Sequence, residues 1–232
     1  AAFFQDERSL PSCRGCDLLC SGNIFLMGLN KFNRIAPVYD WLVKLVFGSA
    51  MRKAQMHFLP ELPREGKILI LGGGTGWLAA ELCKQSSASI VFIDASSRMI
   101  ESAREKTRHF ADRIFFIHGT EAAIPKEVLF DGLVANFYLD LFDEPAMARV
   151  IASVQRSMKD RSTWIVTDFV NHKLWHKLLL KMMYGFFRVV AGLKTTVLPR
   201  WEQGLGSVGL SVAREQYFFG RFIRSVCLRT IG

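Results

Sequence analysis

No uninterrupted apolar stretch in this sequence reaches the roughly 18–20 residues that a membrane-spanning helix needs. Half of the 232 residues are nonetheless hydrophobic, which is enough for a sizeable core. Cysteine is scarce, with five in all, an odd number without regular spacing. That argues against a disulfide framework and for a reducing compartment. Cys13, Cys16 and Cys20 lie close together, but zinc wants four ligands and no fourth is evident, so no metal site is expected. The first 26 residues lack the positive start and apolar stretch of a secretory signal. A cytoplasmic protein is expected, free or peripheral at a membrane. Met27 is expected to be the native start, with residues 1–26 a non-native or disordered extension and 27–232 the working domain. Acidic residues are also in deficit, 21 against 30 Lys and Arg, and the shortage is local. Residues 171–232 carry ten basic and two acidic side chains, or +8 of the net +9. Such a surface suits an anionic partner or is simply solvated.

The residues that are present alternate regularly. Residues 30–62 have apolar side chains at helical spacing and read as an N-terminal helical cap. Short, continuously apolar runs at 67–71, 89–94, 113–117, 130–135 and 163–168 read as buried parallel strands. Helices are expected between them at 77–85, 97–110 and 145–158. This alternation predicts stacked βαβ units and an α/β core over 66–168, with helices on both faces of a parallel sheet. A long helix follows within 172–193, and two strand-like runs within 208–230, joined at Gly220-Arg221, read as an antiparallel hairpin. The expected sheet therefore has seven strands, mostly parallel.

The chemistry-bearing residues gather at the strand ends. Gly72, Gly74 and Gly76 follow the first strand as G-x-G-x-G, with Gly73 between them. Glycines there let the chain turn tightly and let a ligand approach the backbone. Without a ligand, alternate glycines would lose conformational entropy for no evident structural return. A dinucleotide fingerprint is G-x-G-x-x-G, and its third position falls on Trp77. The loop therefore suits a nucleoside with an amino-acid tail better than a pyrophosphate. Asp94 ends the second strand, 18 residues after Gly76, where a carboxylate can accept from both hydroxyls of a ribose. The competing reading makes Asp94 a helix cap. Tyr138, Asp140, Asp143, Asp168, His172 and His176 all follow the fourth or fifth strand, and each reads as a cap or surface residue sooner than as a catalyst.

Residues 72–76, 93–100, 118–125 and 130–131 resemble successive motifs of the class I S-adenosylmethionine-dependent methyltransferases. The opening at 32–40 is similar to the start of the ubiquinone/menaquinone-biosynthesis methyltransferases. The resemblance implies a Rossmann-like fold and S-adenosylmethionine as cofactor. It also implies methyl transfer to a small, apolar acceptor, with nucleic acid not expected as substrate. By position, Gly72, Gly73, Gly74 and Gly76 would cradle the methionine part. Asp94 would hold the ribose, with the adjoining Ala95 also in the cofactor site, and Met99 would pack on the adenine. Thr120 and Glu121 would meet the adenine amino group, Asn136 would lie beside the reacting methyl, and Tyr39 would close over the cofactor. Two positions depart from the pattern. Ile70 stands where the family has an acid, and Thr120 replaces an Asp. No catalytic base stands out. Two other readings are a catalytically silent binding module, supported by Ile70, and an NAD-dependent oxidoreductase, opposed by Trp77 and the hairpin. Residues 172–193 carry Lys173, Lys177, Lys181 and Arg188 beside a broad apolar arc. The arc is expected to be core, an acceptor lid or a membrane contact.

Overall fold

The structure is a computed structural model that describes residues 47–191 and 198–230, without the side chains of 186–191. Residues 1–26, most of the expected helical cap, and Tyr39 lie outside the described residues.

Seven strands form one sheet in the order β3-β2-β1-β4-β5-β7-β6. They are β1 (Lys67–Leu71), β2 (Ser89–Asp94), β3 (Ile114–His118), β4 (Phe130–Asn136), β5 (Met158–Phe169), β6 (Leu210–Phe218) and β7 (Ile223–Thr230). The first five run parallel, and β7 enters antiparallel between β5 and β6. Strand order reverses between β1 and β4, and ligands of open α/β sheets bind at such a switch point, beyond the strands' carboxyl ends.

The helices are α1 (Ala50–Met56), α2 (Trp77–Gln85), α3 (Ser97–Lys106), α4 (Glu144–Gln155), α5 (Leu174–Ala191) and α6 (Trp201–Gly206). Both faces of the central strands are covered, which is why β1 and β4 are apolar without alternation. Leu133, Ala135, Trp164 and Val166 pack against Val150, Ile151, Trp201 and Leu205 of α4 and α6. On the opposite face Ile68, Ile70, Val134 and Ile165 meet Leu78 and Leu82 of α2 and Ala103 of α3. A third cluster joins α1, α5 and the hairpin through Met51, Ala54, Phe169, Leu180, Tyr184 and Phe222.

Three boundaries differ from the expected ones. Helix α4 ends at Gln155, and β5 already begins at Met158, because Met158 pairs with Phe130 at the start of β4. Helix α5 starts at Leu174 rather than at 172, since the His172 N–H donates to His176 Nδ1 at 3.2 Å. The short α6 has two glycines and no helical preference of its own. It forms because Trp201 and Leu205 are buried and the Trp201 indole N–H donates to the Phe169 carbonyl at 3.0 Å.

The hairpin turns through Phe219, Gly220 and Arg221, all at positive φ, a geometry that suits the right-handed twist of the paired strands. The Arg221 guanidinium lies over the Tyr217 ring, 4.2 Å from its centre. The next residue, Phe222, is fully buried, with ring centres of Phe169, His176 and Trp175 at 5.0, 5.2 and 5.8 Å. It pins α5 to the hairpin. Phe222→Ala is therefore expected to cost about 3–5 kcal/mol of stability, read from chemical denaturation. A loss below about 1 kcal/mol would mean that the cluster does not hold α5.

Candidate functional site

The loop after β1 is tied to the end of β2. The Gly72 N–H donates to the Ile93 carbonyl at 2.9 Å. The Gly74 N–H donates to Asp94 Oδ2 at 2.8 Å, and the Ser96 N–H donates to Asp94 Oδ1 at 2.9 Å. The Gly119 N–H, after β3, donates to the Asp94 carbonyl at 3.0 Å. Asp94 thus joins three strand ends. Burial pushes its carboxyl above the usual range, opposed by the Ser96 and Gly74 N–H groups and by His118. Asp94 does not cap α3; the Ser96 hydroxyl does, accepting from the Met99 N–H at 3.3 Å.

Packing demands more of the glycines than the sequence suggested. A side chain at Gly73 would come within 2.2 Å of the Phe92 ring, and one at Gly76 within 2.5 Å of Ala103. At Gly72 it would press on the Tyr138 ring. These three have a structural return after all. Gly74 differs: a Cβ there would meet nothing within 4 Å, while its φ of +59° still favours glycine. The open side of the loop is above Gly74.

Across the switch point, Asn136 ends β4. Its side chain is buried, and neither its amide oxygen nor its nitrogen has a partner. Tyr138 follows, donating to Glu121 Oε2 at 2.9 Å. Burial and then the Glu121 charge hold the Tyr138 phenol well above its usual range. Thr120 turns back to its own chain, where its hydroxyl accepts from the Ala122 N–H at 3.4 Å and caps a short turn. Met99 is half-buried on the first turn of α3, and the Ala95 carbonyl oxygen is 3.0 Å from His118 Nε2.

Two carboxyls lie deeper, at the ends of β4 and β5. Asp140 and Asp168 are both buried, and the Asp140 N–H donates to Asp168 Oδ2 at 3.1 Å. Burial raises Asp140 to about 7. Burial, reinforced by the Asp140 charge, raises Asp168 as well, against the N–H groups of Phe169, Asp140 and Leu139. The expectation that these two are caps or surface residues is thereby corrected. A carboxylate enclosed by apolar neighbours, as in Leu139-Asp140-Leu141 and Asp168-Phe169-Val170, was the available signal. Asp143 does cap α4, accepting from the Ala146 N–H at 2.9 Å. His176 is buried, with Nε2 3.3 Å from the Gly220 carbonyl oxygen, and burial lowers its pKa.

Comparison with known proteins places this arrangement. The pattern of the "Methyltransferase domain" family matches residues 68–161, from β1 into β5. The ubiquinone/menaquinone biosynthesis C-methyltransferase UbiE of Geotalea uraniireducens is 30% identical over 164 residues, 67% of either chain. The chain belongs to the class I S-adenosylmethionine-dependent methyltransferases. S-adenosylmethionine is the cofactor of this methyltransferase. The malonyl-[acyl-carrier protein] O-methyltransferase of Priestia megaterium is 28% identical over 61% of this chain and 50% of its own, so the methyltransferase spans about half of that relative's length. Among solved structures, the Burkholderia thailandensis 1,6-didemethyltoxoflavin-N1-methyltransferase with bound S-adenosylhomocysteine overlays with a TM-score of 0.67 at 14% identity, over 92% of both chains. The DhpI complex with S-adenosylhomocysteine gives 0.65 at 15% identity, over 92% of this chain and all of that one. These two establish the fold. Nothing in the comparisons favours an oxidoreductase or a silent module.

The residues present fit the cofactor. Each Asp94 oxygen accepts one backbone N–H and keeps a lone pair for a hydroxyl. The orphaned Asn136 amide stands across the switch point from the open side of Gly74. Ile70, by contrast, is fully committed to the core.

The buried carboxyls make stability depend on pH. Asp140 titrates near 7 in the folded protein and near 4 in the unfolded chain. The folded state therefore binds more protons between these values, and stability falls as pH rises from about 4 to about 7. Asp94 and Asp168, also raised, act in the same direction. Asp140→Asn is expected to flatten this slope and to be on the order of a few kcal/mol more stable than wild type near pH 8. Thermal unfolding across pH measures it; parallel profiles for the two proteins would contradict an uncharged, buried Asp140.

Proposed function

We propose that this methyltransferase moves the methyl group of S-adenosylmethionine to a small, apolar acceptor held between the carboxyl ends of β4 and β5 and helix α5. The observation that carries this reading is the pairing of the open Gly74 loop and Asp94 with the unpartnered Asn136 amide at the switch point. Residues 66–168 form the cofactor-binding core and 172–193 the lid.

Bound S-adenosylmethionine supplies an electrophilic methyl group. The chain's own part is to orient the reactants and to exclude water, which is where most of the acceleration of such an in-line displacement arises. The backbone of Gly72, Gly73, Gly74 and Gly76 cradles the methionine end. Asp94 holds the ribose hydroxyls with Ala95 beside it, Met99 packs on the adenine, and Thr120 and Glu121 border its amino group. Asn136 meets the reacting end. Val134 is the register partner of Ile70, and Asn136 lies two residues further on the same sheet face. Its free carbonyl oxygen can accept from the methionine ammonium in place of the family's acid at position 70.

Helix α5 supports an apolar acceptor and a peripheral membrane contact. Leu180 and Tyr184 are buried, but Leu174, Leu178 and Met182 are 83%, 62% and 64% exposed and recur every fourth residue. Lys173, Lys177 and Lys181 stand exposed in a parallel row, with Trp175 beside them. An apolar ridge bordered by lysines matches an anionic lipid surface. The named relatives act on quinone precursors and on an acyl-carrier protein, by their descriptions, and a lipophilic acceptor would be collected at such a surface.

S-adenosylhomocysteine is expected to raise the melting temperature, since it binds only the folded state, and NADH is expected not to. Asp94→Ala is expected to lose about 1.5–3 kcal/mol of S-adenosylhomocysteine affinity in calorimetry. Stabilisation by NADH alone would overturn the reading, and unchanged affinity in the variant would confine Asp94 to tying the loops.

The wild-type chain is expected to sediment with phosphatidylglycerol vesicles at low salt and less so at high salt. Lys177→Glu with Lys181→Glu is expected to abolish sedimentation without lowering the melting temperature. Indifference of the wild type to these vesicles would remove the membrane contact and leave the methyl-transfer reading standing.

A further inference from the structure

Among the described residues, the buried side-chain polar atoms without a hydrogen-bond partner belong to Asn136, Asp140 and Tyr184 alone. All three are at least nine-tenths buried. Asn136 and Asp140 lie at the carboxyl end of β4, and Tyr184 comes down from α5 into the cluster around Phe169, the residue after Asp168. Buried polar groups are almost always satisfied, so four orphaned atoms on one edge mark a place where something else makes the bonds.

Asp168 has a structural explanation. Its Oδ1 accepts from the Phe169 N–H at 2.8 Å and its Oδ2 from the Asp140 N–H at 3.1 Å, which fixes the chain as it leaves β4. Asp140 has none. Its Oδ1 is unpartnered, it stands beside a second buried carboxyl, and no cation offsets either of them among the described residues. Burying such a group without a partner is costly, and a fold that needed only shape here would carry an apolar residue. Among the described residues, the ionisable groups that act on this position are Asp168 from β5 and Tyr184 from α5, whose phenol both carboxyls help to keep protonated. Tyr184 is thus a donor, and Asp140, once ionised, is an acceptor.

We infer that Asp140 is the proton-accepting group of the acceptor subsite, and that the acceptor carries an ionisable hydroxyl, phenolic or enolic, which Asp140 Oδ1 and the Tyr184 hydroxyl grip together. The inference rests on the methyl-transfer reading of this edge. As the acceptor's O–H bond breaks, its proton goes to Asp140 Oδ1. The oxygen keeps that electron pair and forms the bond to the methyl group, and the pair of the methyl–sulfur bond stays on sulfur. The thioether leaves neutral, so no further reactant is needed, and the proton on Asp140 departs with product release. Asp168 is a positioning residue that holds Asp140 through its backbone.

The test uses the full chain loaded with S-adenosylhomocysteine, with 4-fluorophenol as probe and fluorine NMR as readout. The probe stays protonated between about pH 6 and about pH 8, while a carboxyl titrating near 7 ionises. Wild type is expected to bind it about tenfold more tightly at the higher pH. Asp140→Asn is expected to bind weakly at both pH values with S-adenosylhomocysteine affinity unchanged. Tyr184→Phe is expected to keep the pH dependence and bind about five- to tenfold more weakly, without loss of stability, because the hydroxyl it removes has no partner in the fold. A pH-independent wild type, or a dependence that persists in Asp140→Asn, overturns the inference. So does failure of the probe to bind a chain that binds S-adenosylhomocysteine, which leaves the methyl-transfer reading intact. Failure to bind S-adenosylhomocysteine at all removes that reading, and the inference with it. Should Asp140→Asn not fold, the wild-type pH profile and Tyr184→Phe still decide.

Discussion

The carboxylate of Asp94 is the fixed point around which the ligand-bearing edge is arranged. It accepts from Gly74 on one side and from Ser96 on the other, while its own carbonyl receives the Gly119 N–H. Backbone bonds such as Gly72 N–H to the Ile93 carbonyl also link these loops, and Asp94 adds to them. The carboxylate orders the loops after β1 and β2, the main-chain carbonyl of the same residue reaches the loop after β3, and the charge that orders the first two is the charge that a ribose diol would meet. Structure and binding share a residue here, so a change at Asp94 perturbs both. The separation lies in the readout, since affinity measured in the folded population is distinct from the size of that population.

The sheet was legible because its signal is redundant. Five apolar runs at regular spacing admit few topologies once right-handed crossovers are required. The hairpin was legible from Gly220 for the same local reason. Helix α6 was not. With Gly204 and Gly206 in six residues, it has no local preference, and it exists because Trp201 fills the space beside Ile151 and Val166. The cofactor loop was legible as a pattern, but the reasons for its glycines were not. The contacts of Gly73 with Phe92 and of Gly76 with Ala103 are made by residues distant in sequence. A glycine that is open, such as Gly74, and one that is crowded look alike in a string of letters.

Asp140 and Asp168 were misjudged for a related reason. A carboxylate just past a strand is, in most settings, a cap on the helix that follows, and Asp143 is one. What distinguishes Asp140 is the covering by α5, which no local pattern announces. Burial then changes the chemistry of the group. In water it would be ionised at any physiological pH; enclosed beside a second carboxyl, it holds its proton to about 7. A group poised there can exchange a proton with a ligand at little free-energy difference, which is the condition for a useful general base. The stability lost at high pH is the consequence of keeping it.

Helix α5 has two faces with opposite demands, and their coexistence constrains what the helix can do. Leu180, Tyr184 and His176 are buried and locked to Phe169 and Phe222. Leu174, Leu178 and Met182 face outward. Folding alone gains nothing from the outer ridge, since those side chains remove little surface from water. The inner face, in turn, buries a hydroxyl that the fold does not satisfy. Each anomaly has the same resolution if the helix lies between an apolar supply on one side and a polar reacting end on the other. An acceptor with a lipophilic body and one ionisable hydroxyl would need first one side and then the other. The ridge would meet the apolar surface that supplies it, and Tyr184 and Asp140 would then take its hydroxyl on the inner side. The Phe222 cluster at the base of α5 then matters for function as well as stability, because it fixes the helix against the strand that carries Asp168.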